Sequence, residues 1–170
     1  FFDSFMQAAI PEELSKWIIL YWIVWKSNDF DERYDGIIYA VFVSLGFALV
    51  ENIMYVIEGG LGVALLRSIL SVPGHGFFGV LMGYYLSLAK FSPADRRQPL
   101  IMASMAVPIF FHGIYDFLLM YMGSENINPW LILLLFASFI YVVVKLWKIG
   151  IKRIKLLVQV DRNTEQQTVS

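Results

Sequence analysis

The sequence predicts an all-α fold, a polytopic bundle of transmembrane helices. The chain of 170 residues is 58% hydrophobic and 16% charged, its mean hydropathy is +0.64, and apolar stretches about 20 residues long recur along it. This composition lies outside the range of soluble globular domains. A helix of about 20 apolar residues has the length needed to cross a hydrocarbon layer about 30 Å thick.

Five stretches of the chain are long and apolar enough to be spans. In chain order we name them spans A to E, and we predict them at residues 5–25, 36–57, 71–89, 99–122 and 130–147. The apolar segment 61–70 carries Arg67, which favours a short interfacial helix between spans B and C. Pro73 and Gly74 are expected to end that helix.

Basic residues are concentrated on one predicted side of the membrane. The loop after span A, the loop after span C and the tail after span E carry eleven of them, whereas the other side carries only Arg67 and Lys16 lies inside span A. By the positive-inside bias, the basic side is cytoplasmic and the first residue of the chain lies outside. The lipid bilayer is therefore the first partner that the sequence predicts, in a multi-pass arrangement.

The chain is predicted to divide into a transmembrane core at residues 1–148 and a cytoplasmic segment at 149–170. That segment consists of a basic helix end and a disordered polar tail from Asp161. Because the first residue is Phe1 rather than a methionine, we expect the core to be incomplete at its N-terminus. The absence of cysteine excludes disulfides, thiolate metal sites and a cysteine nucleophile.

Few ionisable residues lie within the spans, away from their cytoplasmic ends. They are Glu12, Glu13, Lys16, Glu51, His75, His112 and Asp116. Burial in lipid costs roughly 2.5 to 3.5 kcal/mol for Asp, Lys or Arg, so each residue calls for a reason. Counted in helix rise, Glu12, Glu51, His75 and His112 lie roughly 20 to 23 Å from the cytoplasmic edge, and Asp116 lies one turn further out. This shared depth predicts one site in the outer half of the bilayer.

Residue types narrow the chemistry of such a site. A zinc protease of the site-2 type needs His-Glu-x-x-His, and a rhomboid needs Gly-x-Ser-Gly; the sequence contains neither. A presenilin-type protease pairs Tyr-Asp with Gly-x-Gly-Asp, and only Tyr115-Asp116 is present. One mechanism of peptide hydrolysis remains: a carboxylate acts as the base on water, with help from a histidine. Zinc held by histidines and carboxylates, a proton relay in a transporter and a non-catalytic scaffold are alternatives.

Four motifs on four spans then carry a resemblance. Glu12-Glu13-x-x-Lys16, Phe47-x-x-x-Glu51, His75-x-x-x-Gly79 and His112-x-x-x-Asp116 occur in the order and spacing typical of one family. With them the chain resembles the PrsW family, in the superfamily of CAAX prenyl endopeptidases and Abi proteins. The resemblance implies a protease of the bacterial plasma membrane that cuts a single-pass anti-sigma factor on its extracytoplasmic side and so starts a stress response. It implies no nucleic-acid partner and further helices before the first motif.

The expected catalytic set is Glu12, Glu13, Glu51, His75, His112 and Asp116. Glu12 is predicted to be the general base, which takes a proton from a water held against His75 or His112. Protonated His112 is the candidate donor to the oxyanion, and the other charged groups orient these two. The related prenyl endopeptidases carry a histidine where this chain has Glu51, so the role of Glu51 stays open. We expect no cofactor, with zinc as the alternative.

Overall fold

The computed structural model describes residues 2–124 and 127–169, and all regular structure within these residues is helical. The first helical stretch consists of a π-helical segment Asp3–Ala9, helix α1 at Ile10–Ile19 and a π-helical segment Leu20–Val24. Helices α2 at Arg33–Lys90, α3 at Ala94–Met122 and α4 at Pro129–Val169 follow. The predicted all-α fold is therefore confirmed.

Four helical segments are long and apolar enough to cross a membrane, and they correspond to predicted spans B to E. They are Arg33–Val63, Leu65–Lys90, Ala94–Met122 and Pro129–Gln167. The first two are the two arms of α2, which bends at Gly60. Predicted span A corresponds to the first helical stretch, whose segments of 7, 10 and 5 residues pack against α2 and α3. The multi-pass membrane class is thereby confirmed.

The predicted interfacial helix at residues 61–70 is not a separate element. It is the start of the second arm of α2, which passes through Pro73 without ending. A proline removes one backbone hydrogen bond from a helix, and such a gap is tolerated in the membrane where another group binds the freed backbone. Here the hydroxyl of Tyr115 donates to the carbonyl oxygen of Leu70 at 2.6 Å, close to that gap. The sharp change of direction lies instead at Gly60, whose φ of 77° favours glycine.

The tail predicted to be disordered from Asp161 is helical as far as Val169. Leu157 is buried in a cluster with Ile37, and the Asp161 carboxylate accepts hydrogen bonds from the backbone N–H groups of Arg33 and Tyr34, at 3.1 and 2.8 Å. These N–H groups have no partner within α2 because they lie in its first turn, so Asp161 caps that helix. Ser170, the last residue of the predicted tail, lies outside the described residues, and the division at residue 148 stays a prediction.

Two glycines bring the arms of α2 close together. A Cβ atom at Gly83 would lie 2.6 Å from the Cα atom of Ile37 and against the carbonyl oxygen of Gly36, and one at Gly79 would lie 3.0 Å from the carbonyl oxygen of Ala40. Small residues permit such close backbone approach between membrane helices. His75 lies one turn before Gly79 on the same face, so this packing turns His75 into the bundle.

Gly83→Ala is expected to lower the free energy of unfolding by about 1 to 3 kcal/mol, because the added methyl group forces the arms of α2 apart. The matched control is Gly46→Ala, since a Cβ atom at Gly46 would meet nothing within 4 Å. Unfolding of both variants in detergent, followed by circular dichroism, measures the difference. Equal midpoints for the two variants would contradict the close packing at Gly83.

Candidate functional site

A polar cavity of about 400 Å³ lies between the first helical stretch, the two arms of α2 and the C-terminal half of α3. Five of the six predicted site residues line it: Glu12, Glu51, His75, His112 and Asp116. The sixth, Glu13, is fully buried behind the cavity wall. The lining also includes polar side chains that the sequence did not predict as site residues, namely Asp3, Gln7, Tyr55, Arg67 and Ser71. The structure therefore brings the six residues together, while their catalytic roles stay predictions.

Glu12 and Glu13 are consecutive residues of α1, so their side chains point in different directions. Pro11 lies where the π-helical segment Asp3–Ala9 passes into α1, and Glu12 and Glu13 follow in the first turn of α1. Successive helical residues point about 100° apart, so they cannot face the same way. Glu13 points into the bundle with no exposed surface, whereas the Glu12 side chain keeps 16% of its surface exposed toward the cavity.

His112 lies between two carboxylates. Its Nδ1 atom is 2.9 Å from Oε1 of Glu13, and its Nε2 atom is 3.1 Å from Oδ2 of Asp116. The ring also stacks on Phe78, with centroids 4.6 Å apart. Because both ring nitrogens face carboxylate oxygens, an imidazolium can donate a hydrogen bond to each carboxylate. Asp116 stands four residues after His112, which is the spacing that joins two side chains on one helical face.

Lys16 connects Glu13 to the second histidine. This lysine is 1% exposed, and its Nζ atom lies 2.6 Å from Oε1 of Glu13 and 2.8 Å from Nδ1 of His75. Glu12 is further from it, at 3.8 Å. An ammonium group only donates, so Nδ1 of His75 accepts and a neutral His75 ring carries its proton on Nε2. Lys16 therefore pairs with Glu13 more closely than with Glu12.

Glu51 faces His75 with one oxygen and Arg67 with the other. Its Oε2 atom lies 3.1 Å from Nε2 of His75, within ion-pair distance, and is otherwise buried without a hydrogen-bond partner among the described residues. Its Oε1 atom lies 2.5 Å from Nη2 of Arg67. Glu51 therefore presents one carboxylate oxygen to the cavity.

Arg67 is a basic lining residue that the sequence did not predict for the site. The sequence favours an interfacial helix at the membrane surface for this residue, whereas the structure places its guanidinium in the cavity wall. A signal was present in the spacing, because Arg67, Ser71 and His75 are four residues apart and so lie on one face of a continuous helix. The presence of Pro73 between them favoured a break that the structure does not contain.

The charges around the cavity do not cancel when both histidines are neutral. Apart from the exposed carboxylate of Asp3, four carboxylates, from Glu12, Glu13, Glu51 and Asp116, then face the two cations of Lys16 and Arg67. Two negative charges remain, and unpaired charge in a membrane interior is costly. Protonation of the imidazoles or binding of a divalent cation would balance them.

The donor atoms are close enough together for a metal ion. Glu12, Glu51 and His75 each offer one ligand atom, and these atoms lie within 4.8 Å of one another. The Oε2 atoms of Glu12 and Glu51 are buried without a hydrogen-bond partner in the described part of the chain. Carboxylate oxygens and an imidazole nitrogen are ordinary ligands of zinc in catalytic sites. In donor type and spacing, these three residues fit a divalent metal.

Comparisons with known proteins point to a single family. The matching family model describes a PrsW family intramembrane metalloprotease and covers residues 1–146. The chain is 40% identical over 135 residues to the Protease PrsW of Geobacillus kaustophilus, which covers 75% of this chain and 60% of that protein. For the Protease PrsW of Bacillus subtilis, the identity is 40% over 156 residues, with 91% and 66% covered. No solved structure matches the chain.

A third relative has similar coverage. The chain is 40% identical over 159 residues to the Protease PrsW of Halalkalibacterium halodurans, which covers 94% of this chain and 69% of that protein. The chain thus spans 60 to 69% of the length of these three curated relatives. The region that the family model matches contains all six predicted site residues.

Proposed function

This chain belongs to the PrsW family of intramembrane metalloproteases, and from that membership we propose that it is an intramembrane endopeptidase. Its substrate is a single-pass membrane protein, hydrolysed at one peptide bond near the extracytoplasmic side. The observation that carries the proposal is the convergence of Glu12, His75 and His112 on one open polar cavity. The resemblance in the four motifs supports an anti-sigma factor as this substrate.

The place of the cut follows from where the cavity lies. Its rim includes Gln7 before α1, Tyr55 near the bend of α2 and Met120 near the end of α3. These positions are at the outer ends of the helices if the positive-inside bias holds. Toward the cytoplasmic ends, the buried side chains of Leu20, Met82 and Leu86 pack in an apolar cluster. A substrate segment would therefore reach the carboxylates from outside.

Glu12 is the proposed general base. Its Oε2 atom has no hydrogen-bond partner among the described residues, and its side chain keeps 16% of its surface exposed at the cavity. As the oxygen of a water attacks the scissile carbonyl carbon, Glu12 takes the water proton. That proton then passes from Glu12 to the leaving amine nitrogen while the C–N bond breaks.

His112 is the proposed donor to the oxyanion. Its Nε2 atom lies 3.9 Å from Oε2 of Glu12, so base and donor face the same small volume. The N–H group stabilises negative charge on the carbonyl oxygen in the transition state, where a fixed donor in a low-dielectric site has its largest effect. Glu13 orients the ring through Nδ1. The Nε2 hydrogen, which faces Asp116 at 3.1 Å, would be shared with the oxyanion when substrate is bound.

A divalent metal is a second candidate for activating the water. The closeness of donor atoms from Glu12, Glu51 and His75 favours it, and these three residues would hold the ion. When bound, the metal would act as a Lewis acid and activate a coordinated water. His112 would keep its role as donor. The contact of Lys16 with Nδ1 of His75 supports the metal-free candidate, because a metal-bound imidazole usually donates from its other nitrogen.

The proposal is tested with the full-length protein in liposomes that also contain a single-pass anti-sigma factor. We expect two products by mass spectrometry, with the cut near the extracytoplasmic boundary of the substrate helix. Activity that persists in chelator supports the glutamate mechanism, whereas activity lost in chelator and restored by returned metal supports the metal site. Intact substrate under all of these conditions would contradict the protease function.

A further inference from the structure

The guanidinium of Arg67 is held by residues on both arms of α2. Besides the Nη2 contact with Glu51 at 2.5 Å, its Nε atom donates to Oδ1 of Asn52 at 3.2 Å and Nη2 donates to Oγ of Ser71 at 3.3 Å. Its Cζ atom lies 3.7 Å from the centroid of the Tyr55 ring. Glu51, Asn52 and Tyr55 precede the bend at Gly60, whereas Arg67 and Ser71 follow it. Arg67 therefore joins the two arms at the cavity.

A basic residue at a membrane surface commonly extends its charge to water or lipid headgroups. Arg67 does not follow that pattern, since its side chain keeps only 21% of its surface exposed. On the same turn, Leu65 and Leu66 are 67% and 61% exposed. These two leucines thus face outward, while the cation beside them points into the cavity wall.

The contact determines which oxygen of Glu51 faces the cavity. Because Oε1 is bound to Arg67, Oε2 is left beside Nε2 of His75 without a hydrogen-bond partner in the described residues. A planar guanidinium can contact Glu51 through Nη2 and Asn52 through Nε at the same time, in a fixed geometry. A lysine at this position would offer a single point charge on a flexible stem.

We propose that Arg67 is a positioning residue of the site: its guanidinium holds Oε1 of Glu51 so that Oε2 faces His75 and the reacting atoms. This inference rests on the proposed protease function. It also gives Glu51 a defined place, since a carboxylate held in this way can orient a water or hold a metal. Arg67 acts through Glu51 and does not itself contact the scissile bond.

The test compares Arg67→Met and Arg67→Lys with the control Arg96→Met, because the Arg96 side chain is 80% exposed in the first turn of α3. We expect kcat for the anti-sigma substrate to fall by about 10²-fold in Arg67→Met, the scale of an active-site misplacement of about 1 Å, while KM changes little. Arg67→Lys should recover only part of this loss. The control should cleave at the wild-type rate.

A double-mutant cycle with Glu51→Gln separates positioning from a general structural role. If Arg67 acts through Glu51, Arg67→Met should cost much less in the Glu51→Gln background than in the wild type. Equal losses in both backgrounds would overturn the inference, as would full activity of Arg67→Met or failure of both Arg67 variants to fold. If neither the wild type nor the Arg96 control cleaves, the proposed function itself fails, which distinguishes the two outcomes.

Discussion

Glu12→Gln is expected to lower turnover of the membrane-anchored substrate by about 10² to 10⁴-fold, the range for loss of a general base. The amide keeps the shape of the side chain but cannot take the water proton. The carboxylate lines the cavity and its Oε2 atom has no hydrogen-bond partner among the described residues, so folding should change little. Initial rates of cleavage in liposomes measure the effect, and the unfolding midpoint in detergent checks the fold.

The matched control is Glu58→Gln, the same chemical change at an exposed glutamate near the bend of α2. Glu58 does not line the cavity, so its variant should cleave at the wild-type rate. If the Glu12 variant is folded, inserted and as active as the Glu58 variant, Glu12 is not the base. A Glu12 variant that recovers activity at high metal concentration would instead favour a ligand role for this residue.

His112→Ala is expected to combine two large effects. Loss of an oxyanion donor should lower turnover by about 10² to 10³-fold. Removal of the ring also leaves Glu13 and Asp116 without their shared partner, and breaking a buried ion pair on one side costs about 3 to 5 kcal/mol. Turnover is therefore measured at a temperature where the variant remains folded, and unfolding in detergent is measured separately.

Phe110→Ala is the control for His112→Ala, because it removes another ring from α3 at a residue that is 54% exposed. We expect its turnover to be close to that of the wild type and its stability loss to be smaller than for His112→Ala. Should His112→Ala lose stability but keep its turnover while folded, the ring would be a structural element of the charge cluster and not a donor to the reaction.

The sequence by itself determined the class of the fold and the shared depth of the site residues along their helices. Composition and the length of the apolar stretches are sufficient for a membrane helix bundle, because a spanning helix must satisfy its own backbone and bury its side chains in lipid. The regular rise of a helix converts sequence position into depth, which is why Glu12, Glu51, His75 and His112 could be placed in one layer. Burial in lipid makes ionisable residues rare, so those present attract a functional interpretation.

Only the tertiary structure decided which charged groups meet. The bond between Glu13 and His112 joins residues 99 positions apart, and helix rise predicts depth but not the rotation of one helix against another. For the same reason the sequence did not predict that Arg67 points into the cavity. Its direction depends on α2 continuing through Pro73, where the Tyr115 hydroxyl donates to the backbone nearby. Nor did the sequence predict that the tail is helical, since Asp161 caps α2 only because α4 packs beside it. Local patterns do not contain these contacts, because each is made between segments that are distant in the chain.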